Sequence, residues 1–543
     1  MLLIAAVLAC CAPAQAAPLG HAGHAILPAP LPGPRALQRL ADYPRTLVEL
    51  DRVSGPFATG LLQRAGGELI LPQLQLWRLP SGTARRLLPG LIRSGVVRSV
   101  TPDRPLTTIG SSGVFFNHLS DPQVGSEWWL SHVGADRWEP PGAGVPLTII
   151  DSGLDTSHEE FRGRPATILL NRQLVSGDED ELHGTAVASV AAAPTNGIGL
   201  VGVYPRARLQ SFDADLIGLL TIGDELKGLR AAMAHGRGVV NMSFGGNFHW
   251  PVEEQAALAA FGAGSLLVAA AGNEREILSP TMYPANFPHV LTVAATDQND
   301  AVTFFSSESR AIDLAAPGLD IPTAVPRSIV PEGYLTLSGT SFSTPIVAGA
   351  AAAIWTTRPQ LKQTQLFDLL RSTARDVGRP GRDRDTGFGI LDIPAAAATP
   401  APPLDPQEPN EDIYLVRPNG LLRAGHAPLT GPGKTQAQLR ARLDTTEDPG
   451  DVYRVYLPAR GRLSVSVSPT ANVNIELWGP GTRTVFERGS DMRGDLLGVS
   501  AHPGTASERL VIRNRGSTGR YVYLDVVLGR RVTAASYSLA VRS

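Results

Sequence analysis

Three stretches, Leu147-Thr148-Ile149-Ile150, Gly238-Val239-Val240-Asn241 and Leu266-Leu267-Val268-Ala269-Ala270, read as continuous apolar runs, not alternating ones. A strand without alternation has to be covered on both faces, which is the situation of a parallel sheet flanked by helices. Helical segments at Gly223–His235 and Phe342–Trp355 fall between and after these runs. The region 113–398 is therefore expected to be α/β, a doubly wound sandwich around a mostly parallel sheet. Ligands of such a sheet sit outside the carboxyl ends of its strands, and the chemistry should be sought there.

At 543 residues the chain exceeds what one core holds, so two to four units are expected. Pro and Gly dominate residues 18–35, which read as a leader. From about 37 to 105 a small α/β module is expected, with strands at Glu68–Leu71, Leu74–Leu79 and Val96–Val100 and a helical stretch Ala84–Leu88 that Pro89 stops. Five prolines between Ala395 and Pro409 predict an extended linker. Beyond it, Tyr453–Leu457, Arg462–Val467, Val473–Trp478, Arg509–Ile512, Tyr521–Val527 and Tyr537–Val541 are short and alternating, the pattern of an all-β sandwich.

A net charge of -2 and a pI near 6.6 argue against a nucleic-acid or polybasic membrane surface. Residues 1–17 form a short apolar run closed by Ala14-Gln15-Ala16, which reads as a secretion signal although it carries no Lys or Arg. Pro13 interrupts the run too early for a spanning helix. Both cysteines, Cys10 and Cys11, lie inside it, so its removal leaves a protein without disulfides; a lipid-modified Cys10 is the competing reading. An extracytoplasmic location is expected: periplasm, cell surface or extracellular space.

Three segments carry chemistry. Ile149-Ile150-Asp151-Ser152-Gly153 ends a buried strand in an acid held at the sheet's ligand edge, which by itself fits a turn or a ribose-binding acid as well as a catalytic one. His183-Gly184-Thr185 puts an imidazole at the start of a small-residue helix. Gly339-Thr340-Ser341-Phe342-Ser343-Thr344-Pro345 puts a hydroxyl at a helix N-terminus, where unpaired N–H groups and the helix dipole favour a developing oxyanion.

Asp-Ser-Gly, His-Gly-Thr and Gly-Thr-Ser-x-Ser-x-Pro in that order, 32 and 158 residues apart, resemble the subtilisin-like serine proteases, whose triad runs Asp, His, Ser along the chain. The resemblance implies Ser341 as nucleophile, His183 as general base and Asp151 as its orienter. It implies that Ala270-Ala271-Gly272-Asn273 supplies the oxyanion donor Asn273, with no cofactor for catalysis. Ser243, Phe244 and Gly245 would pair with an extended protein or peptide substrate. Ala270, Ala271, Gly272 and Met282 would line the primary pocket, and Met282 would narrow it. The resemblance also implies structural calcium, with Glu160 and Asn196 as oxygen ligands.

By the same resemblance the early module is an inhibitory propeptide. Glu408-Pro409-Asn410-Glu411 and Asp448-Pro449-Gly450-Asp451 make the last unit similar to the bacterial prepeptidase C-terminal domain. The expected layout is a signal at 1–17, a propeptide at 18–112 cleaved between Leu106 and Ser120, a catalytic domain at 113–398, a linker at 399–410 and a β-sandwich at 411–543. A monomer is expected. The rival readings are a secreted binding protein on a protease scaffold and a processing peptidase of narrow specificity.

Overall fold

The computed structural model describes residues 43–51, 56–108, 123–175, 179–215, 220–486 and 495–543, with Leu31, Leu37 and Leu40. The N-terminal apolar run with Cys10 and Cys11, the rest of the leader, and the stretch from 109 to 122 lie outside the described residues. The described chain divides into two units. One runs to Pro409 and takes in Leu421–Arg423; the other comprises Asn410–Gly420 and Ala424–Ser543.

The first unit begins with strands β1 (Arg45–Leu50), β2 (Glu68–Leu71), β3 (Leu76–Pro80) and β4 (Val97–Pro102), paired in the order β2-β3-β1-β4. Helices Pro56–Arg64 and Ser81–Arg93 pack on one face, closing a core of Val48, Leu62, Trp77, Leu79 and Leu88. The second helix does not stop at Pro89 but runs through it. Proline removes one amide donor, and the carbonyl this frees belongs to Arg85, an exposed residue. Residues Pro72–Leu74 form a 3-10 turn instead of opening the next strand, because Gln75 adopts a left-handed conformation (φ 51°) and the strand starts only after it.

After the two-residue strand β5 (Thr107–Thr108), the main sheet collects β6 (Pro146–Asp151), β7 (Thr167–Leu169), β8 (Arg208–Asp213), β9 (Val239–Met242), β11 (Leu266–Ala270), β12 (Val290–Thr296) and β13 (Ile312–Pro317). Its order is β13-β12-β11-β9-β6-β8-β7, with every pair parallel. Outside it lie the short β10 (Phe244–Gly245) and the antiparallel pair β14 (Ile321–Ala324) and β15 (Tyr334–Leu337). The apolar runs of the sequence are its central strands, and every residue of β6, β9 and β11 is buried. The chain leaves β6 toward β8 and β7 and then returns to β9 on its other side, so β6 is where the winding reverses. Crevices form at such a reversal.

Helices cover both faces. His183–Ala192 and Thr340–Thr357 pack against each other, and small residues allow it: a Cβ on Gly349 would lie 2.3 Å from Val203 Cγ1 and 3.0 Å from the Ala191 carbonyl. The core around them holds Ile346, Ile354, Trp355, Leu314 and Val293, each worth about 1.5–3 kcal/mol on full burial. Residues Ala395–Ala398, read from the sequence as linker, are the end of helix Ile393–Ala398, which starts because Asp392 Oδ1 accepts from the Ala395 N–H at 2.9 Å.

The second unit is a sandwich of two four-stranded antiparallel sheets. One holds β16 (Gln436–Asp444), β23 (Ala534–Arg542), β18 (Arg462–Pro469) and β21 (Glu508–Arg513); the other holds β17 (Gly450–Leu457), β22 (Arg520–Leu528), β19 (Val473–Trp478) and β20 (Leu496–Ser500). Val465, Val467, Ile475, Leu524 and Val526 fill the space between them.

Candidate active site

Asp151 is the last residue of β6, at the carboxyl edge where the sheet reverses. The turn after it passes through Gly153 (φ 92°), and helix His183–Ala192 starts directly against that turn. Gly184 makes the approach possible, since a Cβ there would lie 2.3 Å from the Gly153 carbonyl oxygen. Its N–H instead donates to Ser152 Oγ at 3.0 Å, which fastens the helix start to the strand end. His183 Nδ1 is thereby held 2.8 Å from Asp151 Oδ1, with both side chains buried. The same carboxylate oxygen accepts the Ser152 N–H at 2.8 Å, so Asp151 cannot swing away.

Ser341 is the second residue of helix Thr340–Thr357, in the turn whose N–H groups have no helical acceptor. The hydroxyl donates to the Ser243 carbonyl at 3.0 Å, and Ser243 Oγ donates to the Ser341 carbonyl at 2.9 Å. The His183 ring lies 5.8 Å from that of Phe342, the residue after Ser341, and Nε2 makes no hydrogen bond to a described residue. Asp151, His183 and Ser341, scattered in sequence, thus meet at one edge of the sheet.

Asn273 follows the end of β11. Its Oδ1 accepts both the N–H and the hydroxyl of Thr340, each at 3.0 Å, which turns Nδ2 away from Thr340 and leaves it for a ligand. Thr340 was legible only as part of the Gly-Thr-Ser motif; its work on Asn273 needed the structure. Ala270 and Ala271 are buried at the strand end, and Gly272 (φ 109°) turns the chain toward Asn273. A Cβ on Gly272 would lie 2.9 Å from Met282 Cγ, so the methionine runs directly beneath the turn and packs on Ala270.

Phe244 and Gly245 form strand β10, which pairs antiparallel with β5: Phe244 opposite Thr108, Gly245 opposite Thr107. On its other side the incoming segment is held by the Leu106 N–H to the Leu220 carbonyl (2.7 Å), the Ile222 N–H to the Arg104 carbonyl (3.0 Å) and a bridge between Pro105 and Thr221. Residues 104–108 therefore run as an extended segment along the Leu220–Ile222 and Phe244–Gly245 edges, heading toward Ser243 and its partner Ser341. The four-stranded module behind them docks on helix Ile222–Ala234. Arg78 reaches Asp103 (2.6 Å) and both oxygens of Asp224 (3.0 Å), Lys227 reaches Glu68 (3.0 Å), and Arg230 donates to the Leu69 and Ile70 carbonyls.

The residues named for calcium lie elsewhere. Buried Glu160 accepts from the Leu200 N–H (2.7 Å) and the Tyr334 hydroxyl (3.1 Å), whereas exposed Asn196 accepts the Ile198 N–H at 2.8 Å within its own turn. Glu127, which the sequence reading missed, accepts the neighbouring Val201 N–H at 3.0 Å. No local pattern marks Glu127, since it is 74 residues from its partner.

The sequence model of the subtilase family matches residues 142–389. Subtilisin BL from Lederbergia lenta is 35% identical over 275 residues, 50% of this chain and 97% of that protein. Subtilisin E from Bacillus subtilis (strain 168) is 33% identical over 259 residues, 47% of this chain and 66% of its own length, so the chain spans just under two thirds of that relative. Fervidolysin from Fervidobacterium pennivorans is 33% identical over 311 residues, 51% of this chain and 44% of its own. The crystal structure of fervidolysin, described as a keratinolytic enzyme related to subtilisin, superposes with a TM-score of 0.57 over 93% of this chain and 95% of that one at 19% identity, a likeness of fold.

Proposed function

The chain belongs to the subtilase family, and from that premise we propose that it is a serine endopeptidase, exported and made as an autoinhibited precursor. The observation that carries the reading is the 2.8 Å bond of His183 Nδ1 to Asp151 Oδ1 at the sheet edge where Ser341 opens its helix. Ser341 Oγ attacks the peptide carbonyl carbon while His183 Nε2 takes its proton. Asp151 fixes the tautomer and stabilises the imidazolium. The oxyanion is received by the Ser341 N–H and Asn273 Nδ2. Collapse breaks the C–N bond as His183 returns the proton to the leaving amine, and water, deprotonated by His183, then hydrolyses the acyl-enzyme.

Substrates are extended protein or peptide segments, taken as a strand along Phe244–Gly245. Autoinhibition is supported by Thr107 and Thr108, which already occupy that place, and by the Arg78–Asp224 anchor behind them. Export rests on the N-terminal apolar run; no helix among the described residues is long and apolar enough to cross a membrane. The C-terminal sandwich is read as noncatalytic. Calcium is proposed as structural only: the oxygens of Glu160 and Asn196 suit a hard cation and would hold it beside the Asn196–Leu200 turn. A melting temperature unchanged by chelator and by added calcium would remove it.

The function is tested by incubating the purified full-length chain and its Ser341→Ala variant with a heat-denatured protein and following fragments by mass. The wild type is expected to release peptides and to lose its own N-terminal module, and the variant to do neither. Intact denatured protein after prolonged incubation with a correctly folded wild type would favour the binding-protein reading.

A further inference from the structure

The triad and the strand-pairing channel leave one built feature beside the site unused. The guanidinium carbon of Arg104 lies 4.9 Å from the ring centroid of Trp250, 5.3 Å from that of Phe248 and 4.8 Å from that of Tyr43. Arg104 Nε is buried without a hydrogen-bond partner, and among the described residues no carboxylate pairs with this guanidinium, so the three rings are what receives it. Its backbone is fixed independently by the Ile222 N–H, four residues upstream of Thr108 on the strand that runs toward the nucleophile. Two of the rings, Phe248 and Trp250, stand 6.4 Å apart on the loop that follows β10. Tyr43 belongs to the N-terminal module and would leave with it.

We propose that Phe248 and Trp250 form a subsite for a cationic side chain of the substrate, at the residue four positions before the one paired with Phe244. Arg104 is its internal occupant while the N-terminal module remains attached. This rests on the protease reading above. The faces of aromatic rings are negative, and a guanidinium both stacks on them and gives up hydration more readily than an ammonium. The site therefore ranks arginine above lysine, either above alanine, and glutamate last. Substrates too short to reach it gain nothing.

The test uses fluorogenic peptides identical except for Arg, Ala or Glu at that position, and a shorter peptide ending before it. The processed wild type is expected to cleave the Arg peptide with a kcat/KM about 5-fold above Ala, with Glu below Ala. In Trp250→Ala and Phe248→Ser the Arg-to-Ala ratio should fall to within two-fold; as a ratio inside one preparation, it is insensitive to partial misfolding. Equal rates for the three peptides in the wild type, or a ratio that survives in both variants, would overturn the proposal. If neither long nor short peptides are cleaved, the protease reading itself fails. The cage then has its own readout in hydrogen exchange at the Leu106 amide of the full-length Ser341→Ala chain. Exchange should quicken about 5-fold with Arg104→Glu and be restored by Arg104→Lys, and no change with Arg104→Glu would refute it.

Discussion

Asp213 stands opposite Asp151 in register on the neighbouring parallel strand, so the sheet edge carries two carboxylates where the triad uses one. Asp213 Oδ1 accepts the Asp215 N–H at 3.0 Å and Oδ2 the Leu174 N–H at 2.7 Å. Burial above all, with Glu181 and Asp151 adding their charge, pushes its carboxyl up to about 6 from 3.8. The charged groups that act on it are Asp151 on β6 and Glu181 just before helix His183–Ala192.

Because the folded value lies above the ordinary one, the carboxyl keeps its proton longer in the folded chain than in the unfolded one, and the native stability contributed here falls as pH rises from about 4 to about 6. Asp213→Asn should flatten that slope in a plot of melting temperature against pH. A slope unchanged by the substitution would show that Asp213 is not the group that titrates.

Asn273→Ala should leave KM nearly unchanged and lower kcat by about 100- to 1000-fold, the magnitude established for this donor in subtilisin itself. The amide is positioned by Thr340 and contacts no other described group at Nδ2, so its loss is felt only when the oxyanion forms. A change confined to KM, read from steady-state kinetics on one peptide, would contradict the assignment.

Met282 lies under Gly272 and against Ala270, where, if Met282 forms the floor of the primary pocket, it would shorten it. The wild type should prefer small residues before the scissile bond. Met282→Gly should raise kcat/KM for an aromatic residue relative to alanine by about ten-fold or more, because a buried side-chain volume is being removed from the pocket floor. Equal or better aromatic turnover by the wild type would sink the narrow pocket.

The parts legible in the sequence were those whose chemistry is local. A run apolar on both faces announces a central parallel strand, and Asp-Ser-Gly, His-Gly-Thr and Gly-Thr-Ser each hold a functional group together with the small residues its placement requires. Gly184 shows why: the motif includes the residue that lets His183 approach Asp151. What escaped depends on contacts between distant segments. Asp213 joins Asp151 only through the register of β6 with β8, Glu127 reaches Val201 across 74 residues, and the rings around Arg104 come from two stretches far from it in sequence. Pro89 and Ala395–Ala398 failed for the opposite reason. Pro89 reads as the stop of a helix that runs through it, and the prolines from Pro400 onward draw the linker back over Ala395–Ala398, which the Asp392 cap makes helical.

Glu225 and Glu253 face each other between helices Ile222–Ala234 and Pro251–Gly262, both fully buried, so that charging both is costly. Burial raises both, Glu225 to about 8 and Glu253 well above the carboxylate range with Glu225 and Glu254 adding to it. The folded chain thus keeps protons that the unfolded chain releases, and stability is lost as pH rises from about 4.5 toward 8. Glu253→Gln, which offers an amide donor to Glu225, should raise the melting temperature at pH 8.5 relative to pH 5. An unchanged difference between the two pH values would show that the pair is not what titrates.

The central claim is that Ser341, activated by His183 and Asp151, is a nucleophile. The direct measurement is labelling of the purified protein with a fluorophosphonate probe beside the Ser341→Ala variant, with intact mass recorded for both. The account predicts one covalent adduct on the wild type, mapped to Ser341, and none on a variant that stays at precursor mass. A folded wild type that takes no label, or a label that persists in Ser341→Ala, would contradict it.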